Sequence, residues 1–113
     1  MVTKKAYVPG RGDVVWVDLD PTKGHEQSGK RPAVVLSPQP YNRATGLAIM
    51  CPLTSQVKGY PFEVPVRAGK IDGVALVDHV RSLDWKVRHT KKISALSEEA
   101  LHEMQTKLKL LLL

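Results

Sequence analysis

The residues of this chain best suited to chemistry lie in one polar stretch, Asp20-Pro-Thr-Lys-Gly-His-Glu-Gln-Ser-Gly-Lys-Arg-Pro32. Lys23, Lys30 and Arg31 are cations, and His25 and Glu26 are groups that move protons. An apolar alternating run ends at Leu19 and another begins at Ala33, so the stretch is a loop between two strands. A loop this polar cannot be core, and a long loop between strands is either disordered or functional. Phosphate chemistry uses these side-chain types together. The stretch therefore reads as the lip of an active site, with Thr54 and Ser55 adding hydroxyls at the end of a later apolar run.

Other chemistries find little support. The four histidines, His25, His79, His89 and His102, show no zinc-type spacing, and the lone Cys51 cannot build a thiolate cluster or an intrachain disulfide. Neither a Walker loop nor a Gly-x-Ser-x-Gly elbow is present. No metal or cofactor is expected. A metal-free reaction on a polyanion fits what remains, and cleavage of RNA through its own 2′-hydroxyl is one such reaction. It needs an acceptor for that proton, cations around the pentavalent phosphorane and a donor for the leaving oxygen. The planar fork of Arg31 can clamp two phosphate oxygens; alone it reads more readily as a surface salt bridge, and only the combination with the rest of the loop reverses that. Single-stranded RNA also wants stacking surfaces and amide donors, which Tyr41-Asn42 and Gln56-Val-Lys-Gly-Tyr60 provide.

Composition agrees with this reading. The chain has 113 residues, 42% hydrophobic and 25% charged, as expected for one globular domain spanning residues 1–113. Seventeen Lys and Arg against eleven Asp and Glu give a net charge of +6, which favours a polyanionic partner. Cys51 sits in an apolar run and reads as a small buried hydrophobe. With no signal-peptide pattern and no run of about 18 apolar residues, a cytoplasmic protein without membrane contact is expected.

The elements that must hold these residues follow from periodicity. Residues 1–10 read as a poorly ordered leader, and 11–13 as a turn into a first strand at 14–19. Residues 32–38 are a second strand, whose unbroken apolar run implies burial on both faces. A turn or short helix at 39–46 leads to a third strand at 47–54 and a polar loop at 55–61. Pro65 marks residues 62–66 as an edge strand. A turn at 67–73, tightest at Asp72-Gly73, then precedes a fifth strand at 74–80 and a short one at 92–94. The end is a helix: Ser97 caps it, Glu98 and Glu99 suit its first turn, and Leu96 and Leu101 staple it. Leu101, Met104, Leu108 and Leu111 form its apolar stripe, and Leu110 to Leu113 exceed what one packed face needs. The class is mainly β with helices (α+β): a small antiparallel barrel with a C-terminal helix.

The segment Gly12-Asp-Val-Val-Trp-Val-Asp-Leu-Asp-Pro-Thr-Lys-Gly-His-Glu-Gln-Ser-Gly-Lys-Arg-Pro-Ala-Val-Val-Leu-Ser37 closely resembles the MazF/PemK toxin endoribonucleases. So do Tyr41-Asn42, Pro52-Leu-Thr-Ser55, Lys58-Gly-Tyr-Pro-Phe-Glu-Val64 and Asp72-Gly-Val-Ala-Leu-Val-Asp78, with the MazF branch the nearer match. The resemblance implies an SH3-like barrel of the MazF/PemK/CcdB type, acting as a homodimer. It implies ribosome-independent, metal-free cutting of single-stranded RNA at a short sequence. The products would be a 2′,3′-cyclic phosphate and a 5′-hydroxyl, and the partner a MazE-type antitoxin whose acidic segment covers the RNA groove.

Carried over residue by residue, the resemblance makes Arg31 and Thr54 the catalytic pair and Glu26 a required glutamate. Lys23, Gly24, His25, Gln27, Lys30, Tyr41, Asn42, Ser55, Gln56, Lys58 and Asp78 would contact RNA. The PemK acid–base set is matched at His25 and Asp78, but Leu76 and His79 replace its arginine and glutamine. An arginine with a pKa above ~12 is a poor base, so Arg31 is assigned to phosphorane stabilisation, and the base stays open among Glu26, His25 and solvent. The competing readings are a barrel toxin without RNA chemistry, as in the CcdB-type gyrase poisons, and a non-catalytic nucleic-acid-binding regulator.

Overall fold

The structure, a computed structural model, describes residues 6–19 and 29–113. Its strands are β1 (Asp13–Asp18), β2 (Lys30–Val35), β3 (Leu47–Thr54), β4 (Glu63–Ala68), β5 (Ile71–Leu76), β6 (Arg81–Asp84) and β7 (Lys91–Ala95). Two helices accompany them, α1 (Gln39–Thr45) and α2 (Glu98–Leu112), and Val77–His79 form a single 3-10 turn. The strands run in the order β4-β5-β3-β2-β1-β7, and β6 pairs with the first half of β3. Every pairing is antiparallel. The sheet curls part-way into a barrel around β3, which pairs with β6 along its first half, with β2 at its middle and with β5 at its end.

That curl creates two cores. Val14, Val34, Cys51, Leu53, Val64 and Val77 point to one side, where Met104 of α2 fills the space. Val15, Val17, Ala33, Val35, Met50 and Trp85 point to the other. Neighbouring residues of β1 and β2 therefore feed opposite cores, and the unbroken apolar run after Pro32 is buried on both faces as its pattern requires. The Ser97 Oγ accepts the Ala100 N–H at 3.2 Å, closing the cap of α2. Leu96 and Leu101 pack at its start and Leu108 further along, whereas Leu110, Leu111, Leu112 and Leu113 lie exposed, so the packed stripe stops short of Leu111.

Several expectations are corrected. The leader is not loose over residues 7–10: Tyr7 donates its hydroxyl to Asp13, and the Pro9 carbonyl accepts from Asn42 at 2.8 Å. The tight turn after β4 falls at Gly69-Lys70, with φ +59° at Gly69, and not at Asp72-Gly73, which lie within β5. The fifth strand ends at Leu76, because the chain turns through the 3-10 segment that carries Asp78 and His79. Between the strands expected at 74–80 and 92–94 the chain forms a further one, β6, so the strand at Lys91–Ala95 is the seventh. Pro65 does sit on an edge strand, where its missing N–H costs no ladder bond.

Candidate active site

Strand register builds the site. Ala33 of β2 pairs with Pro52 of β3. Side chains alternate along a strand, so two residues back on β2 and two forward on β3 lead to the same face. Those residues are Arg31 and Thr54, across from each other where the two strands open. Both line a cleft of about 250 Å³ together with Ser55, Lys70, Asp72 and Gly73. A second cleft of about 260 Å³ is lined by Thr54, Gln56, Lys58, Tyr60, Asp78 and His79. Thr54 belongs to both clefts and stands on the ridge between them.

The Thr54 side chain is fixed by its neighbours. Its Oγ1 accepts the Gln56 N–H at 3.1 Å, which starts the following loop in a set direction. Its backbone touches β5 closely: a Cβ built on Gly73 would lie 2.3 Å from the Thr54 carbonyl oxygen. Only glycine fits there, so Gly73 is what lets β5 close against the end of β3. A buried Glu63 carboxylate accepts the Lys58 and Gly59 N–H groups at 3.1 and 2.9 Å and gathers the loop that carries Lys58 and Tyr60. The Lys58 ammonium lies 6.0 Å from the centre of the Tyr60 ring.

The site therefore unites Arg31, Thr54, Ser55, Gln56, Lys58 and Asp78, all reached from the sequence. Lys30 opens β2, exposed and opposite Asp18 in the register, one residue from Arg31 and hence on the other face. Lys23, Gly24, His25, Glu26 and Gln27 lie outside the described residues. Tyr41 is exposed but lines a different, apolar cleft at the far end of β3, with Leu36, Ile49, Val80, Leu108 and Leu112.

Asn42 is a correction. It is fully buried, and its Nδ2 donates to the Pro9 and Ser37 carbonyls at 2.8 and 3.0 Å while its Oδ1 accepts from the Ser37 hydroxyl. No polar atom of this side chain is left to read a base. Lys70, Gly73 and Glu63 are additions. Asp72-Gly73 has the pattern of a tight turn, which hides the close strand packing of Gly73, and no local pattern marks the burial of Glu63 or brings Lys70 across to Arg31.

Cys51 is buried in the core below the site and donates weakly to the Val77 carbonyl at 3.8 Å. Burial, helped by the Asp78 charge, pushes its thiol up to about 12, so it stays protonated and unreactive near neutral pH. Among the described residues no three His, Cys, Asp or Glu side chains gather as metal ligands would.

The class that the structure defines is a small, partly closed antiparallel barrel with an arginine and a threonine brought together where two adjoining strands end. A sequence model of the PemK-like, MazF-like toxins of type II toxin–antitoxin systems matches residues 10–112, and the chain belongs to that family. It is 50% identical over 106 residues to the endoribonuclease toxin MazF of Escherichia coli (strain K12), covering 94% of this chain and 96% of the relative. It is 37% identical over 109 residues to the endoribonuclease toxin ChpB of the same strain, covering 91% of each. The crystal structure of MazF from Deinococcus radiodurans superposes with a TM-score of 0.91 at 49% identity, covering 95% of this chain and 98% of that one. A MazE–MazF crystal structure from the same organism superposes with a TM-score of 0.84 at 44% identity, covering 95% and 97%.

Proposed function

We propose that this chain is the toxin of a type II toxin–antitoxin pair and an endoribonuclease that cuts single-stranded RNA. In this reading it recognises a short sequence without the ribosome and works without a metal ion, in the cytoplasm. The substrate's 2′-oxygen attacks the adjacent phosphorus as its proton passes to a base, Glu26, His25 or solvent. The 5′-oxygen leaves and is protonated, giving a 2′,3′-cyclic phosphate and a 5′-hydroxyl. Arg31 holds the equatorial oxygens of the phosphorane with its fork, and the Thr54 hydroxyl donates to the same phosphate. Lys70 lies in the same cleft and adds charge.

The observation that carries this reading is the placement of Arg31 and Thr54 on one face and in one cleft. The partner is a MazE-type antitoxin with an acidic segment, which would occupy the same basic surface as RNA. A homodimer would cover the apolar cleft that runs from Tyr41 to Leu112. Neither the gyrase-poison reading nor the non-catalytic regulator accounts for this pair of residues, and the relatives bear endoribonuclease names.

The test is cleavage of single-stranded RNA in excess EDTA. Cutting that persists, with cyclic phosphate ends, is the expected result. Cutting that stops with chelator and returns with a divalent ion contradicts the metal-free mechanism, and binding without any cutting favours the regulator.

A further inference from the structure

The loop between β3 and β4 holds Gln56, Lys58 and Tyr60 against the second cleft, and it is tied down at two points. At its start the Gln56 N–H donates to Thr54 Oγ1 at 3.1 Å. At its end Glu63, only 8% exposed, folds its carboxylate back into the loop. Oε1 accepts the Gly59 N–H at 2.9 Å and Oε2 the Lys58 N–H at 3.1 Å, while the Glu63 N–H donates to the Tyr60 carbonyl at 3.1 Å. The Glu63 carbonyl in turn accepts from Lys107 of α2 at 3.1 Å, and Lys107 pairs with Glu103 at 3.5 Å. A carboxylate beside a polyanion site weakens binding unless it is screened, and a buried one is costly unless both oxygens are bonded. Here both oxygens bond to backbone N–H groups. Successive N–H groups in such a turn form a nest of the kind that takes phosphate oxygens. The protein's own carboxylate fills this nest, so RNA phosphates are left to the side-chain cations.

We propose that Glu63 is the positioning residue of the RNA-reading loop: its carboxylate plugs the Lys58–Gly59 nest and thereby sets which base fits between Tyr60, Gln56 and Asp78. This rests on the endoribonuclease reading and goes beyond it, because it assigns sequence discrimination to a residue whose carboxylate is committed to the loop backbone. Glu63→Gln keeps the shape but turns an amide NH₂ toward one of the two N–H donors, so the loop loosens without a change in core volume.

Two readouts test this. Amide hydrogen exchange of the wild type should show Lys58 and Gly59 protected, and Glu63→Gln should speed both about tenfold, the loss of one charge-assisted bond. The amides of β3, such as Cys51, should keep their protection. With RNA, discrimination between the preferred sequence and a single-base variant should fall about tenfold through KM, with kcat on the preferred RNA within about threefold. Should Glu63→Gln fail to fold, Gly59→Ala decides. Gly59 has φ +79° with nothing within 4 Å of a built Cβ, so the change strains the nest alone. Unchanged exchange at Lys58 and Gly59, unchanged discrimination, or an equal fall in kcat on every RNA overturns the proposal. A wild type that cuts no RNA overturns the endoribonuclease reading and the discrimination role with it, while the exchange arm still decides whether Glu63 ties the loop.

Discussion

The two ends of β3 use similar residues for opposite purposes. At the Leu47 end, Asn42 and Ser37 are buried, and their polar atoms bond to one another and to backbone. The Trp85 Nε1–H adds to this knot by donating to the Asn42 carbonyl at 3.0 Å. At the Thr54 end, Ser55, Gln56, Lys58 and Tyr60 face solvent around two clefts, and their order comes from backbone contacts to Gly73 and Glu63. An amide or hydroxyl with all its partners in the protein is architecture. One held by its backbone, with its side chain open, is available for a substrate.

Substitutions should separate the two ends. The largest expected effect is on activity at the open end. Arg31→Ala should cut kcat by about 10²–10³, the cost of removing one preorganised donor to a transition-state charge, with little change in melting temperature. Lys30→Ala, on the other face of β2, should mainly weaken RNA binding, and Arg31→Lys should fail because a single ammonium lacks the fork. Single-turnover cleavage rates on all three check this, and equal losses would remove the distinction between Arg31 and its neighbour. The next effect is on stability at the closed end. Asn42→Ala leaves the Pro9 and Ser37 carbonyls without its amide and the Ser37 hydroxyl without an acceptor for its proton in a buried place, so unfolding free energy should drop by about 3 kcal/mol. The cleavage rate per folded molecule should stay as in the wild type. Denaturant titration read beside activity checks it, and an activity loss without a stability loss would make Asn42 an RNA contact after all.

The sequence was most informative where a local rule decides. Ser97, Leu96 and Leu101 announce α2 because a cap and a staple are local chemistry. Pro65 announces an edge for the same reason. Arg31 and Thr54 were legible as candidates by type, and by resemblance as a pair, but their facing positions come from strand register, which links residues 23 apart. The sequence does not separate the two roles of Asn42, because an exposed turn asparagine and a buried knot asparagine have the same local neighbours; the leader and Trp85, brought in by the fold, bury it. Glu63 carries no local signal, because alternation in an edge strand predicts facing and not which backbone amides come to meet the carboxylate. Val77–His79 break the expected strand although Val77 and Val80 are β-formers, since the chain must leave the sheet there to reach β6.

Whether RNA is cut in the cleft between Arg31 and Thr54 is tested most directly by an amide chemical-shift titration. The ligand is the RNA sequence the protein cuts, made with 2′-methoxy groups so that it lacks the nucleophile and stays intact. Binding there should concentrate the shifts at Arg31, Thr54, Ser55, Gln56 and Gly73, with the amides of Asn42 and Thr45 unmoved. Shifts centred on α1 and the Tyr41 cleft, with Thr54 and Gly73 silent, would contradict it.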